Sequence, residues 1–245
     1  MESSAGGTDD GQLSLKRAAA RVAAAQVADG ATVGLGSGST AELVIEELAA
    51  RVRQGLRMRG VATSERTATL AAGLGIALVA LDDVPALDIS LDGADEVALP
   101  NLDLIKGRGG ALLREKLVAA ASRFRVIVVD ASKVVPALGT RFPVPVEVVR
   151  FGWGHTAGRI SALGVRPSLR ARAADDQAGA GPAPFVTDGG NYVLDCATDS
   201  LAQPAALGQA LKAQVGVVEH GLFVGMTDRV IAADTDGVRV YDRPH

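Results

Sequence analysis

Apolar residues occur along this chain in two patterns, short continuous runs and stripes that recur every three or four residues. The runs predict strands, and the stripes predict amphipathic helices. Through the first part of the sequence the two patterns alternate, which predicts a parallel, Rossmann-like sheet. The predicted helices span 13–28, 40–52, 64–73 and 110–122, and the predicted strands span 31–35, 58–62, 76–81, 86–91 and 125–130.

The pattern changes after Pro143. A strand over 143–149, a helix closing near 161–164, a glycine-turn hairpin over 185–195 and a helix over 201–214 predict a small α+β (ferredoxin-like) unit. Strands predicted at 221–225 and 230–233 are expected to complete the first sheet. The fold class is therefore α/β, with a Rossmann-like domain over 13–142 and 217–245 and a smaller domain over 143–216. Residues 1–12 are predicted to be a disordered tail, and the low-complexity segment 171–184 a flexible insertion.

Composition excludes several classes of protein. The 245 residues carry a net charge of −3 with both signs interspersed, so no nucleic-acid partner is expected. No apolar run reaches the ~18 residues of a transmembrane helix, and the N-terminus lacks the features of a signal peptide. The single cysteine, Cys196, excludes a disulfide framework within the chain. A cytoplasmic location without membrane contact is expected.

A glycine-rich turn, Gly34-Leu-Gly-Ser-Gly-Ser-Thr40, joins the first predicted strand to the next helix. Backbone N–H groups and the helix N-terminus would face the same space there, which favours an anion. A dinucleotide fingerprint would need glycine in place of Ser39, and a Walker A loop would need a lysine. An ordinary βα turn remains an alternative, but binding of phosphate or sugar oxygens is favoured.

Two further segments carry acid, lysine and glycine residues. Asp92-Gly93-Ala94-Asp95-Glu96 follows a predicted strand, at the strand end that borders the crevice of open α/β sheets. Lys106-Gly107-Arg108-Gly109-Gly110 leads into the helix that carries Glu115. An acidic turn in water and a glutamate on a solvated helix face are the plainer interpretations, and periodicity does not decide between them. Together the segments favour proton transfer on a small phosphorylated substrate over hydride transfer.

Histidine and cysteine do not suggest a metal site. His155, His220 and His245 lack ligand spacing, so neither a metal nor another cofactor is expected. His220 is interpreted as a structural residue or a donor that supports the site, and Trp153 as a packing residue.

The order of these motifs resembles that of the ribose-5-phosphate isomerase A family. The resemblance extends over nearly all of 13–240, and it includes further matching segments at 63–64, 130–133, 142–147, 186–191 and 216–223. It implies a cofactor-free interconversion of D-ribose 5-phosphate and D-ribulose 5-phosphate through an enediol, in the non-oxidative pentose phosphate pathway. A homodimer or homotetramer is expected.

The resemblance also implies roles for single residues. Glu115 is expected to carry the proton between C1 and C2 of the sugar. Asp92 and Asp95 are expected to help open the furanose ring and to hold its hydroxyls, and Lys106 to meet the C1 and C2 oxygens. The other expected substrate-binding positions are Lys16, Ser37, Gly38, Ser39, Thr40, Gly93, Ala94, Gly107, Arg108, Gly109 and Lys133.

Two positions depart from the family pattern. Ser37 keeps a hydroxyl where threonine is commoner, and Arg108 replaces a commoner glycine, so it is expected to narrow the pocket or to add a phosphate contact. Two other functions stay open, a non-catalytic sugar-phosphate-sensing domain and a CoA-transferase-like enzyme with a nucleophilic glutamate. A sensor of the regulator type would carry a preceding helix-turn-helix, and the segment 106–115 argues against the transferase.

Overall fold

The computed structural model of the protein describes residues 7–99, 101–172 and 183–244. The helices in these ranges are α1 (Gly7–Ala24), α2 (Ser39–Arg53), α3 (Glu65–Gly73), α4 (Leu112–Ala121), α5 (Trp153–Ser161) and α6 (Pro204–Lys212). The first seven strands are β1 (Ala31–Leu35), β2 (Met58–Ala62), β3 (Ile89–Asp92), β4 (Glu96–Ala98), β5 (Asp103–Ile105), β6 (Arg125–Asp130) and β7 (Val134–Val135). The later strands are β8 (Val144–Val148), β9 (Arg166–Leu169), β10 (Tyr192–Ala197), β11 (Val217–His220), β12 (Leu222–Phe223), β13 (Arg229–Asp234) and β14 (Gly237–Asp242).

The largest sheet has six strands in the order β14-β13-β6-β3-β1-β2. All neighbouring pairs are parallel except β13 and β14. Successive side chains of β6 alternate between two cores: Val126 and Val128 pack with α1 and α2, while Ile127 and Val129 pack on the opposite face. A strand buried on both faces needs apolar residues at every position, which explains the continuous apolar run of the sequence there.

Two smaller sheets complete the fold. The strands β12-β5-β4-β7 form a sheet that packs on the second face of the large sheet, with Phe223 and Leu104 in the shared core. The strands β11-β8-β10-β9 form an antiparallel sheet covered by α5 and α6, through Ile160 and Leu211. None of the helices in the described ranges is long and apolar enough to cross a lipid bilayer.

Some predicted elements differ from the structure. Helix α1 begins at Gly7, within the segment predicted to be a disordered tail, and residues 1–6 of that segment lie outside the described residues. The strand predicted over 76–81 is wrong, because Leu78 forms only one bridge, to Gly60 of β2. Beyond that bridge the chain turns into a 3₁₀ helix at Leu81–Asp83, next to an acid pair and a proline that disfavour a strand.

The later strands also differ in part. The strand predicted over 230–233 joins the large sheet as β13, but the one over 221–225 shortens to β12 and pairs with β5 instead. Strand β11 pairs with β8, so the small antiparallel sheet continues past the predicted boundary at 216. The first arm of the predicted hairpin is reduced to a bridge between Val186 and Tyr192. Of the predicted insertion, residues 173–182 lie outside the described residues, and a bridge joins Ala171 to Pro184 at its base.

Candidate active site

A cleft of about 370 Å³ lies where the parallel strands β1, β3 and β6 end. Such a position is the usual ligand crevice of an open α/β sheet. The structure brings together here all of the predicted site residues except Asp92, which lies directly beneath. The cleft is lined by Lys16, Ser37, Gly38, Ser39, Thr40, Gly93, Ala94, Asp95, Lys106, Gly107, Arg108, Gly109, Glu115 and Lys133.

The floor of the cleft holds a buried lysine between two carboxylates. The ammonium of Lys106 lies 3.0 Å from Oδ2 of Asp92 and 3.4 Å from Oε2 of Glu115, and it donates to the carbonyl of Gly93 at 2.6 Å. The exposed fractions of Lys106, Asp92 and Glu115 are only 4%, 8% and 6%. Groups this deeply buried interact strongly, because little water screens them.

Helix α4 turns Glu115 inward. Its buried residues are Leu112, Glu115 and Val118, three residues apart along one face, whereas Leu117 is 51% exposed. Leu112, Leu113, Leu117 and Val118 form the apolar stripe of this segment in the sequence, and the exposure of Leu117 shows why periodicity does not decide the direction of Glu115. Oε2 of Glu115 has no hydrogen-bond partner among the described residues. A buried carboxylate oxygen that has an ion pair but no hydrogen bond is unusual and calls for a functional explanation.

The charges of this cluster do not balance, since one ammonium faces three carboxylates once Asp95 is included. Burial raises the pKa of Glu115, Lys106 opposes the rise, and Asp92 and Asp95 add to it, so that the pKa reaches about 8. Burial alone would lower the pKa of Lys106, but the carboxylates of Asp92 and Glu115 outweigh burial and raise it. Lys106 therefore stays charged, and Glu115 is a carboxyl group that exchanges a proton near neutral pH.

The glycine turn after β1 fits closely against Asp92. A Cβ atom on Gly36 would lie 2.1 Å from Oδ1 and 2.6 Å from Cα of Asp92, so only glycine fits. Oδ1 of Asp92 accepts the N–H groups of Ser37 at 3.1 Å and Gly93 at 2.7 Å. Asp92 thus has both oxygens occupied, by the turn and by Lys106.

Beyond the turn, helix α2 begins at Ser39 with Gly38 as its N-cap, and no side chain caps it. Its first N–H groups therefore stay available for an anion, and the positive end of the helix dipole points the same way. Lys16 lines the same cleft, with its ammonium 4.0 Å from Oδ2 of Asp130.

The hydroxyl of Ser37, a position expected to bind the substrate, is instead hydrogen-bonded within the protein. Its hydroxyl is hydrogen-bonded with the hydroxyls of Thr63 at 2.8 Å, Ser64 at 2.9 Å and Thr67 at 3.2 Å. This hydroxyl cluster joins the first glycine turn to the start of α3, where Ser64 also caps the helix by accepting the N–H of Thr67.

The opposite side of the cleft carries two cations on one aromatic ring. The guanidinium of Arg108 lies 4.8 Å and the ammonium of Lys133 4.9 Å from the ring centre of Phe142, distances that suit cation–π contacts. The fully buried Glu96 accepts the N–H of Phe142 at 2.8 Å and those of two other residues of the same turn. Sequence reasoning missed both Phe142 and Glu96, although each lies inside a segment that carries the resemblance.

A third missed residue, Arg170, holds the glycine loop 106–110 from the end of β9 in the small antiparallel sheet. It donates to the carbonyls of Gly107 at 3.0 Å and Arg108 at 2.9 Å. Its guanidinium also pairs with Asp195, with Nε 2.9 Å from Oδ2. Only the tertiary structure reveals this role, because Arg170 precedes the low-complexity segment and belongs to no motif.

The described ranges contain no clustered metal ligands, and the one cysteine is buried. No group of three or more His, Cys, Asp or Glu side chains is placed there to hold a metal ion. Cys196 is buried in the core of the small sheet, and burial raises the pKa of its thiol to about 12.

Comparison with known proteins agrees with this geometry. The profile of the family described as ribose 5-phosphate isomerase A (phosphoriboisomerase A) matches residues 59–237. A ribose-5-phosphate isomerase A from Synechococcus sp. strain JA-3-3Ab is 52% identical over 225 residues, 91% of this chain and 95% of that protein. One from Brucella suis biovar 1 is 48% identical over 237 residues, 94% of this chain and 97% of that protein.

Solved structures show the same similarity. The structure of ribose 5-phosphate isomerase A from Methanocaldococcus jannaschii has a TM-score of 0.88 and 36% identity, covering 94% of this chain and 99% of that one. A D-ribose-5-phosphate isomerase in complex with phospho-erythronic acid has a TM-score of 0.88 and 34% identity, covering 94% of this chain and 98% of that one. The chain belongs to the ribose 5-phosphate isomerase A family.

Proposed function

We propose that this protein is an aldose–ketose isomerase that interconverts D-ribose 5-phosphate and D-ribulose 5-phosphate. The observation that carries the proposal is the buried carboxylate of Glu115 at the floor of the cleft, whose Oε2 lies 3.4 Å from the Lys106 ammonium and makes no hydrogen bond among the described residues. A base and a fixed cation at this separation are what proton transfer next to a carbonyl requires. Family membership supports the same activity.

The substrate would lie with its phosphate on the N-terminus of α2. The uncapped N–H groups after Gly38 and the ammonium of Lys16 supply the positive charge there. A relative in complex with phospho-erythronic acid supports a phosphorylated ligand for the family fold. The sugar carbons would then extend toward Lys106 and Glu115.

Ring opening precedes the proton transfer. Asp95 lines the cleft and uses only Oδ2 to accept the N–H of Arg108 at 3.0 Å, so its other oxygen suits the hydroxyls of the furanose. Asp92 has both oxygens bonded within the protein, so we assign it mainly to the orientation of Lys106.

Isomerisation then proceeds through two proton transfers by Glu115. Glu115 takes the proton from C2 of the open-chain aldehyde, the C–H electron pair forms the C1–C2 double bond, and the carbonyl pair moves to O1, which becomes an oxyanion. The hydroxyl proton on O2 then passes to O1. Finally the pair on O2 forms the C2 carbonyl, and the C1–C2 double-bond pair takes the proton back from Glu115 onto C1. Lys106 stabilises the negative charge that develops on O1 and O2.

A direct assay tests the proposal. Purified protein is mixed with ribose 5-phosphate in D₂O, and the products are followed by proton NMR. We expect ribulose 5-phosphate to form, with deuterium entering at C1 because Glu115 exchanges its proton with solvent. Tight binding of ribose 5-phosphate without turnover would instead favour the sensing function.

We also propose a homodimer or homotetramer in the cytoplasm. Phe151 is 96% exposed and Val215 79% exposed, and the chain segments that carry these apolar side chains are joined by the hydrogen bond from the Val149 N–H to the Gly216 carbonyl. Light scattering of the wild type and of Phe151→Ser tests the proposal; a monomeric wild type would refute self-association.

A further inference from the structure

A cluster of buried charges that the proposed chemistry does not use adjoins Glu115. Its centre is Lys116, the next residue of α4, whose ammonium lies 2.8 Å from Oε1 of Glu219 and donates to the carbonyl of His220 at 2.5 Å. Lys212 contacts the other oxygen of Glu219, Oε2, at 2.8 Å. The side chains of Lys116, Glu219 and His220 are only 14%, 13% and 12% exposed.

The strand segment that carries Glu219 also holds Lys106. Gly221 accepts the N–H of Lys106 at 2.9 Å, and a Cβ atom on Gly221 would lie 2.1 Å from the carbonyl oxygen of Lys106. The ring of Phe223 lies 5.6 Å from the ammonium of Lys106 and 4.8 Å from that of Lys116. The segment 219–223 therefore contacts both Lys106 and the residue that follows Glu115.

This double contact links the two central groups of the cleft through one rigid element. Helix α4 is anchored to the segment by Lys116, and the glycine loop is anchored to it by the backbone of Lys106. Because Glu115 and Lys116 are adjacent on α4, a rotation or shift of the helix that changed the distance between Glu115 and Lys106 would also disturb the pair with Glu219. Buried charge pairs resist such movement, because separating them leaves an uncompensated charge.

We propose that the ion pair between Lys116 and Glu219 positions the carboxylate of Glu115 against Lys106, and that both are positioning residues for the isomerase reaction. The expected effect on kcat rests on the proposed function. The expected location of the Glu115 carboxylate does not.

His220 completes the cluster as a neutral side chain. Its Nδ1 accepts the N–H of Leu222 at 3.3 Å and faces the ammonium of Lys116 at the same distance, so the proton resides on Nε2. Burial lowers the pKa of His220 to about 4, and Lys116 adds to the effect. Burial by itself would raise the pKa of Glu219, but hydrogen bonds from Lys116 and Lys212 outweigh it and lower the pKa to about 2. Glu219 is therefore ionised around neutral pH, whereas burial lowers the pKa of Lys116 and its hydrogen bond with Glu219 opposes that effect.

The test separates positioning from stability. Glu219→Gln removes one charge of the pair and should lower both kcat and the melting temperature. The double variant Lys116→Met with Glu219→Leu replaces the pair by apolar side chains, which commonly restores stability. We expect its melting temperature to return to within a few degrees of wild type, while kcat stays reduced about 10- to 100-fold and KM changes less than about threefold.

Asp228→Asn is the matched control. It breaks another partly buried pair, in which Nε of Arg125 lies 2.8 Å from Oδ2 of Asp228, away from the segment 219–223. It should lower the melting temperature and leave kcat unchanged. If kcat of the double variant recovers together with its stability, the pair is merely structural and the inference fails.

A second measurement does not need turnover. Carbon-13 NMR titration of Glu115 should show a pKa about one unit higher in both pair variants than in wild type, because the carboxylate has moved away from Lys106. The control should not shift. An inactive wild type would overturn the proposed function, whereas an unshifted Glu115 in the pair variants would overturn this inference.

Discussion

Gly36→Ala perturbs the site by a single methyl group. In the native structure the new Cβ atom would lie 2.6 Å from Cα and 2.1 Å from Oδ1 of Asp92. Non-bonded carbon atoms are ordinarily at least about 3.5 Å apart, so the glycine turn and the end of β3 must separate by roughly 1 Å. The backbone of Asp92 cannot rotate away as a side chain would. In the variant, the hydrogen bond that the Gly36 N–H donates to the Leu91 carbonyl, 3.0 Å long in the native structure, would be strained as well.

The magnitude follows from this displacement. Overpacking of a closely packed site costs about 1–3 kcal/mol, and we expect the upper end because backbone atoms must move. For a chain of this size that corresponds to a fall of about 6–12 °C in the melting temperature. Asp92 moves with the turn and takes Lys106 out of line, and a misplacement of about 1 Å costs roughly 100-fold in kcat.

Two quantities are measured for Gly36→Ala, kcat for ribose 5-phosphate and the melting temperature. Both are compared with the values for the control variant Gly158→Ala. Gly158 lies in α5, and a Cβ atom there meets no atom within 4 Å. This control should keep wild-type activity and gain up to ~1 kcal/mol of stability, since alanine favours a helix. Wild-type kcat and melting temperature in Gly36→Ala would refute the close fit described for Asp92.

Three further outcomes are expected. Because the pKa of Glu115 in the free enzyme is raised to about 8 and the base must be ionised, kcat/KM should rise as the pH increases toward 8, and a profile of kcat/KM that is flat between pH 5 and 8 would contradict this. Arg170→Met removes two hydrogen bonds to the glycine loop and the partner of the Asp195 carboxylate, so chemical denaturation should show that the free energy of unfolding falls by about 2–3 kcal/mol. KM should rise because the loop is held less firmly, and an unchanged KM would argue against this role of Arg170. Exhaustive treatment with EDTA should leave the rate unchanged, and recovery of a lost rate on adding a divalent metal would contradict it.

The fold follows from the sequence wherever one local pattern determines an element. The strands predicted over 31–35, 58–62 and 125–130 coincide with β1, β2 and β6. The strongest of these signals is the continuous apolar run of β6, which a strand buried on both faces of a parallel sheet needs. The sheet formed by β12, β5, β4 and β7 was not predicted, since its strands are only two or three residues long and show no measurable period of apolar residues. Its pairing depends on contacts between distant segments.

Part of the candidate site could likewise be predicted from local sequence patterns, and part of it could not. Loops that follow strand ends could be placed at one crevice from topology alone, and the structure brings them together there. The direction of Glu115 could not be predicted, because Leu117 belongs to the apolar stripe and yet faces outward. Arg170 and Glu219 act through tertiary contacts, so no local pattern indicates them.

The role of Glu115 as the base is tested by Glu115→Gln, which keeps the size of the side chain and removes only its ability to take a proton. We expect kcat to fall roughly 10³-fold or more and solvent deuterium no longer to enter C1, while calorimetry still shows ribose 5-phosphate binding within about threefold of wild type. Near-wild-type turnover with continued deuterium exchange would show that Glu115 is not the base.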